Sequence, residues 1–282
     1  MKKRIFSTII LCTLVTVTLT KTEIFGGVLL LALCSALAQW ELYRLMEKIG
    51  WNPYKRSATV LGTLILVGSF LSQEGVSDLN YVLIMFVETV VIFAFSLVLA
   101  GGKPEDLKSV FLPTIFGIFY VPIMFAIPVS LIPKFLLLSE PNPLLLLILW
   151  VIVVTKFSDI GGLLVGGKIG KHKLAPAFSP KKSWEGLLGS ILFSVTAGYV
   201  FALCCGSTWP KNFTNWKIGV LSAIIAIIAL VSDLIESGFK RLAKEKDSGH
   251  TIPGIGGMLD LMDSLILALP MGIILIKECV FV

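Results

Sequence analysis

SDLIESGFKRLAKEKDSGHTIPGIGGMLDLMDS, residues 232–264, is where an otherwise oily chain concentrates its charge. Apolar runs flank it on both sides, AIIAIIALV at 223–231 and LILALPMGIILI at 265–276. Acidic side chains at the edge of such runs are costly in a membrane unless something compensates them, which makes them candidates for function. Asp233 and Glu236 are three residues apart, as are Asp260 and Asp263, so each pair shares one face if its stretch is helical. Two such pairs, joined by Lys240, Arg241, Lys244, Lys246 and a PGIGG turn, suit a hard cation beside phosphate groups.

Of the 282 residues, 56% are hydrophobic, and the mean hydropathy of +0.91 is far above that of a soluble domain. Apolar runs approaching the length of helix needed to cross about 30 Å of hydrocarbon recur along the chain. They fall at 5–20, 24–43, 57–72, 80–100, 109–132, 143–165, 186–205, 217–236 and 263–281. This pattern predicts an all-α, polytopic integral membrane protein with nine transmembrane helices and two polar cytoplasmic loops. Nine crossings place the two termini on opposite sides. On the N-terminal side lie Lys2, Lys3, Arg4, Arg44, Lys48, Lys55, Arg56, Lys103, Lys108, Lys168, Lys171, Lys173, Lys181, Lys182, Lys240, Arg241, Lys244 and Lys246, eighteen of the 24 basic residues. Lys21, Lys134, Lys211, Lys217 and Lys277 fall on the other side, and Lys156 falls within a span. The positive-inside rule then places the N-terminus and both polar loops in the cytoplasm, with any active site facing that side of the cell (inner) membrane.

The net charge of +6 is therefore mainly a topological signal. The basic residues are spread through membrane loops with no RNA- or DNA-binding module, which excludes a nucleic-acid partner. A basic face would still attract anionic lipids and nucleotides. The start, MKKRIFSTIILCTLVTVTLT, has the basic and apolar regions of a signal peptide but lacks an A-x-A-like cleavage site, so it reads as a first span. The five cysteines sit in apolar segments without metal-ligand spacing and read as small packing residues.

Residues 1–142 read as a transmembrane scaffold with short loops, and 143–282 as the catalytic transmembrane region. Glu88, in NYVLIMFVETVVIFAF, is the one charge of the first half that reads as buried, either on a lipid or ion pathway, or snorkelling or paired with another helix. Pro122 and Pro128 should kink the fifth span. No internal repeat supports an inverted-repeat transporter. The polar chemistry lies in two loops on the same predicted side, KFSDIGGLLVGGKIGKHKLAPAFSPKKSWEG at 156–186 and the Lys240–Asp260 region.

In the first loop, Asp159 stands near the end of an apolar span with Lys156 one turn back. Gly162 to Ile169 superficially fits a phosphate-binding P-loop, but Ile169 stands where a magnesium-binding hydroxyl is needed and no strand precedes it. Gly162, Gly166 and Gly170, spaced four apart, are better explained by close helix packing. The stretch Ser179-Pro-Lys181-Lys182-Ser-Trp-Glu185-Gly186 offers two ammonium groups and a hydroxyl that could hold a triphosphate. Around the second loop, Glu236, Asp247 and Asp263 either orient ligands or pair with Lys240, Arg241 and Lys246.

Two of these stretches carry a family resemblance. Ser237-Gly-Phe-Lys240-Arg241, Lys246-Asp247, Pro253-Gly254-Ile255-Gly256-Gly257, Asp260 and Asp263 resemble the signature of the phosphatidate cytidylyltransferases, the CDP-diacylglycerol synthases. SPKKSWEG resembles a second motif of that family, and the resemblance covers about residues 143–264. The chain departs from the pattern at Ile255, where the family has His, and at Leu261, where it has Arg; His250 lies five residues before Ile255. At Asp159 only the acid and the glycines match. The resemblance implies transfer of a cytidylyl group from CTP to phosphatidic acid in phospholipid biosynthesis. It assigns Mg2+ to Asp233 and Asp260, leaving a second cation open. It gives catalytic roles to Asp233, Asp260, Lys240, Arg241 and Asp263. Substrate binding would fall to Asp159, Ser179, Lys181, Lys182, Glu185, Ser237, Lys246, Asp247, Gly256 and Gly257. The implied partners are CTP, phosphatidic acid, membrane lipids and a second copy in a homodimer. The alternatives are a CTP-dependent lipid kinase acting on a polyprenol-type alcohol, an ion-coupled transporter, and an inactive relative.

Overall fold

The computed structural model describes residues 23–71, 78–99, 103–138, 143–254 and 256–280. Helices α1 (Glu23–Ile49), α2 (Lys55–Leu71) and α3 (Asp78–Leu99) come first. A continuous helical run, α4, covers 104–138; two of its turns, Leu107–Phe111 and Phe119–Ile123, are π-helical. Then follow α5 (Pro143–Ile169), a hairpin of β1 (Lys173–Ala175) and β2 (Ser179–Ser183), α6 (Trp184–Cys205), α7 (Asn215–Leu242) and α8 (Met258–Val280).

Six helices among the described residues are long and apolar enough to cross a membrane: Ile24–Ile49, Leu107–Leu131, Leu145–Ile169, Trp184–Thr208, Asn215–Leu242 and Met258–Cys279. They make the chain an all-α, multi-pass protein. The expected span at 57–72 is α2, 17 residues long. The one at 80–100 is α3, with Leu83–Ala94 as its apolar stretch, and the one at 5–20 lies outside the described residues. Exposed side chains such as Leu163 (75%), Leu188 (69%) and Leu203 (79%) would be a liability in water. On helices long and apolar enough to cross a membrane, such side chains suit contact with lipid.

The chain divides into two compact units, Met1–Pro133 with Phe239–Met262, and Lys134–Gly238 with Asp263–Val282. In the first, Tyr43 of α1 is fully buried and donates its hydroxyl to the Thr114 carbonyl at 2.7 Å. Gln39, one turn earlier, donates to the Tyr43 oxygen at 3.1 Å and to the Ala58 carbonyl at 3.2 Å. These bonds tie α1, α2 and α4 together through groups that would otherwise be costly to bury. Pro122 lies within the π-helical turn of α4. There the backbone donor that proline lacks is accommodated by a local π-bulge inside a helix that continues.

Glu88 differs from expectation: it is exposed on α3, on a face with Val87 and Val91. Among the described residues of this unit, the buried acid is Glu41 of α1, 3% exposed.

The second unit is held by close packing of α5 on α6. A Cβ at Gly162 would meet Ser190 Oγ at 2.5 Å, one at Gly166 the Gly186 Cα at 3.2 Å, and one at Gly189 the Gly161 carbonyl at 2.8 Å. Small residues on both helices let the backbones approach, as in membrane helix pairs. This contact explains why α5 continues to Ile169, beyond the expected end of the span at 165. Trp150 of α5 packs edge-on to Phe213 with ring centroids 5.0 Å apart and donates its indole N–H to the Gly198 carbonyl at 3.2 Å. Ser194 of α6 donates to the Ser222 carbonyl of α7 at 2.8 Å.

Candidate active site

The second unit gathers acids from three helices. Asp233 and Glu236 come from one turn of α7 and Asp263 from α8; one carboxylate oxygen from each lies within 4.8 Å of the others. Glu236 is fully buried, while Asp233 and Asp263 are half-buried. Lys182, at the end of β2, meets Asp233 Oδ2 at 2.7 Å and donates to the Leu230 carbonyl at 3.3 Å. Ser237 donates to Asp233 Oδ1 at 3.3 Å. Asp159 of α5 accepts from Ser264 Oγ at 2.8 Å and lies 3.7 Å from Lys156. Lys156 in turn donates to Ser264 Oγ at 3.2 Å, and the Ser264 N–H donates to Asp263 Oδ1 at 2.6 Å. Ser232 donates to the Asp263 carbonyl, linking α7 to α8. The result is a set of mutually close carboxylates bordered by two ammonium groups. Alone, such acids repel and resist ionising together; oxygen donors at this spacing suit a hard cation.

The hairpin before α6 holds the other residues of SPKKSWEG. Ser183 caps α6, its Oγ accepting from the Gly186 N–H at 3.1 Å. Glu185, in the first turn, accepts from the His172 N–H at 3.2 Å and lies 2.7 Å from His172 Nδ1. Lys181 is exposed and Ser179 half-exposed on β2.

The first unit holds Asp260 and Lys240. Asp260 Oδ1 takes Lys240 Nζ at 2.8 Å. Its Oδ2 accepts from the Gly257 N–H at 2.7 Å, the Ser248 N–H at 2.9 Å and Ser248 Oγ at 2.8 Å. Asp260 thus caps the start of α8 from within its first turn. The loop before it closes on itself: Ile252 and Gly256 exchange backbone hydrogen bonds at 2.9 and 3.1 Å. Gly254 (φ 84°) and Gly256 (φ 129°) take backbone angles that side chains disfavour, which is the physical need behind two of the PGIGG glycines. Arg241, Lys246 and Asp247 are exposed, and Ile255 lies outside the described residues.

The structure therefore brings Asp159, Lys182, Asp233, Ser237 and Asp263 together in one unit. In the other it groups Lys240, Asp260 and Gly257 with Ser248. The sequence reading ranked Glu236 below Asp233, yet it completes the acid cluster. It placed Lys156 one turn before Asp159 as a pairing partner, and the two do lie 3.7 Å apart; it missed Ser264, which bonds to both. It missed Glu41 altogether.

These features define a class: a multi-pass helical membrane protein with a carboxylate cluster at the ends of apolar helices, bordered by Lys156 of α5 and by Lys182 of the SPKKSWEG motif. The chain matches the model of the Cytidylyltransferase family over residues 2–279 and belongs to that family. It is 39% identical over 133 residues to a phosphatidate cytidylyltransferase of Haemophilus influenzae, an alignment covering 46% of each chain. It is 36% identical over 124 residues to one of Staphylococcus saprophyticus, covering 44% of this chain and 46% of that one. A Mycobacterium bovis relative of the same name is 38% identical over 109 residues, covering 39% of this chain and 34% of its own. The matched part spans less than half the length of these curated relatives.

Proposed function

We propose that this protein transfers the cytidylyl group of CTP to phosphatidic acid, forming CDP-diacylglycerol and releasing pyrophosphate. The observation that carries this reading is the cluster of Asp233, Glu236 and Asp263, with ligand atoms within 4.8 Å of one another, in a chain of the cytidylyltransferase family. In this reading the protein crosses the cell membrane nine times and works as a homodimer with its active site on the cytoplasmic side. Residues 143–282 carry the reacting groups and 1–142 support them.

The donor set fits magnesium, which takes oxygen ligands and uses one or two carboxylates with water and phosphate oxygens. We assign it to Asp233 with Glu236 and Asp263. Asp260, which the motif pairs with Asp233, has its carboxylate engaged by Lys240, Ser248 and Gly257. A bound divalent cation would neutralise phosphate charge during transfer. Lys182 and Lys156 stand beside the acids as point charges for phosphate oxygens. Ser179, Lys181, Lys240, Arg241, Ser237, Lys246, Asp247, Gly256 and Gly257 keep the substrate-holding roles that the family motif gives them. The lipid phosphate oxygen attacks the α-phosphorus in line as the bond to pyrophosphate breaks. No covalent enzyme intermediate is needed, so the protein acts by positioning and charge.

Purified protein given radiolabelled CTP, phosphatidic acid and magnesium is expected to form CDP-diacylglycerol, and to stop when magnesium is chelated. Asp233→Asn should lower the rate by about 100-fold or more. Label on a polyprenol in place of phosphatidic acid would move the protein to the lipid kinases. An undiminished rate in Asp233→Asn would overturn the site.

A further inference from the structure

We propose that Glu41 is a positioning residue: from the scaffold helix α1, its carboxylate clamps the loop 248–257 and the start of α8, and so sets where Asp260 and Lys240 stand. Glu41 is 3% exposed. Its Oε2 accepts from Ser248 Oγ at 3.0 Å and from the Leu259 N–H at 2.9 Å, and its Oε1 accepts from Thr251 Oγ1. Leu259 is the second residue of α8, one of the positions whose N–H has no acceptor within its own helix. Such donors are ordinarily met by a side chain just before the helix. Here the acceptor comes from a helix more than two hundred residues earlier in the chain.

The link to Asp260 runs through one hydroxyl. Ser248 Oγ lies 3.0 Å from Glu41 and 2.8 Å from Asp260 Oδ2, whose partner oxygen holds Lys240. The loop backbone closes tightly over the buried carboxylate, since a Cβ at Gly249 or Gly257 would collide with it. About two turns further along α1, Lys48 pairs with Glu245, a second hold on the segment before the loop. Among the described residues, every hydrogen bond to the Glu41 carboxylate comes from this one segment, and no lysine or arginine pairs with it. That is the pattern of a part that shapes a loop.

The activity arm of the test rests on the proposed reaction; the structural arm does not. Hydrogen exchange and CTP kinetics are measured on the detergent-purified full chain for Glu41→Gln, Glu41→Asp and Thr251→Val. In Glu41→Gln, exchange should accelerate over 248–259 while α5 and α6 stay protected. Its kcat should fall by about 100-fold with KM little changed, the result of a small misplacement, and Glu41→Asp should recover part of it. If wild-type protein makes no CDP-diacylglycerol, the reaction fails and the exchange result still decides the clamp. Equal loss of protection across all helices in Glu41→Gln would make Glu41 a general packing residue and overturn the proposal. Should Glu41→Gln not fold, Thr251→Val removes one donor and leaves the carboxylate; unchanged exchange and kcat there would also overturn it.

Discussion

Lys182 meets Asp233 at 2.7 Å with side-chain exposures of 16% and 30%, which makes the pair the most informative single contact of the acid cluster. Removing one partner of a fully buried pair costs about 3–5 kcal/mol. With this much exposure, screening lowers the expectation for Lys182→Met to roughly 1–3 kcal/mol. Thermal unfolding in detergent should show a lower midpoint for Lys182→Met, with Lys182→Arg in between; an unchanged midpoint in both would mean the pair contributes nothing. At this scale the acids Asp233, Asp260 and Asp263 were legible because each interrupts an apolar run. Glu41 was not. It lies in QWELYRLMEK, where neighbouring charges disguise it as the end of a span, and its partners sit 207 to 218 residues away. Glu88 misled for the converse reason: an acid alone in an apolar helix looks buried, yet the helix turns it outward.

The α5–α6 pair shows what spacing can and cannot disclose. Glycines four apart at 162, 166 and 170 announce a close helix contact, and the first two do meet Ser190 and Gly186 of α6. Gly189→Leu should force the helices apart against Val165 and the Gly161 carbonyl. Overpacking of this kind costs about 1–3 kcal/mol, measurable as a lowered unfolding midpoint, whereas Leu188→Ala on the exposed face should change it little. The hairpin of β1 and β2 was illegible. Its strands are three and five residues long, and Lys173 to Ser183 reads as a solvated basic loop because no periodic apolar face marks either strand. The end of α5 was missed for a related reason: charge at Lys168 suggests that the membrane stops, while the helix continues through its contact with α6.

For the molecule as a whole, the multi-pass helical architecture was legible from hydropathy alone, since six of the expected spans appear as helices long enough to cross. The placement of the polar segments relative to the bilayer rests on the distribution of basic residues and can be tested directly. In a cysteine-free background, Lys181→Cys in the hairpin and Lys211→Cys before α7, both exposed, should behave oppositely. A membrane-impermeant maleimide on intact cells should label the second and spare the first; the reverse would invert the topology. The grouping of Phe239–Met262 with the N-terminal unit was beyond sequence reading, because it depends on the contacts of Glu41, Lys48 and Asp260 and not on any local pattern. Those contacts also impose an order in time. Glu41 is made 207 residues ahead of Ser248, which at about 5–20 residues per second is a wait of roughly 10–40 s. Throughout that interval an inserted α1 carries a carboxylate whose donors have not yet left the ribosome. A chain that stalls before residue 248 therefore carries this acid without the donors that later close over it, a mark by which an unfinished copy differs from a finished one.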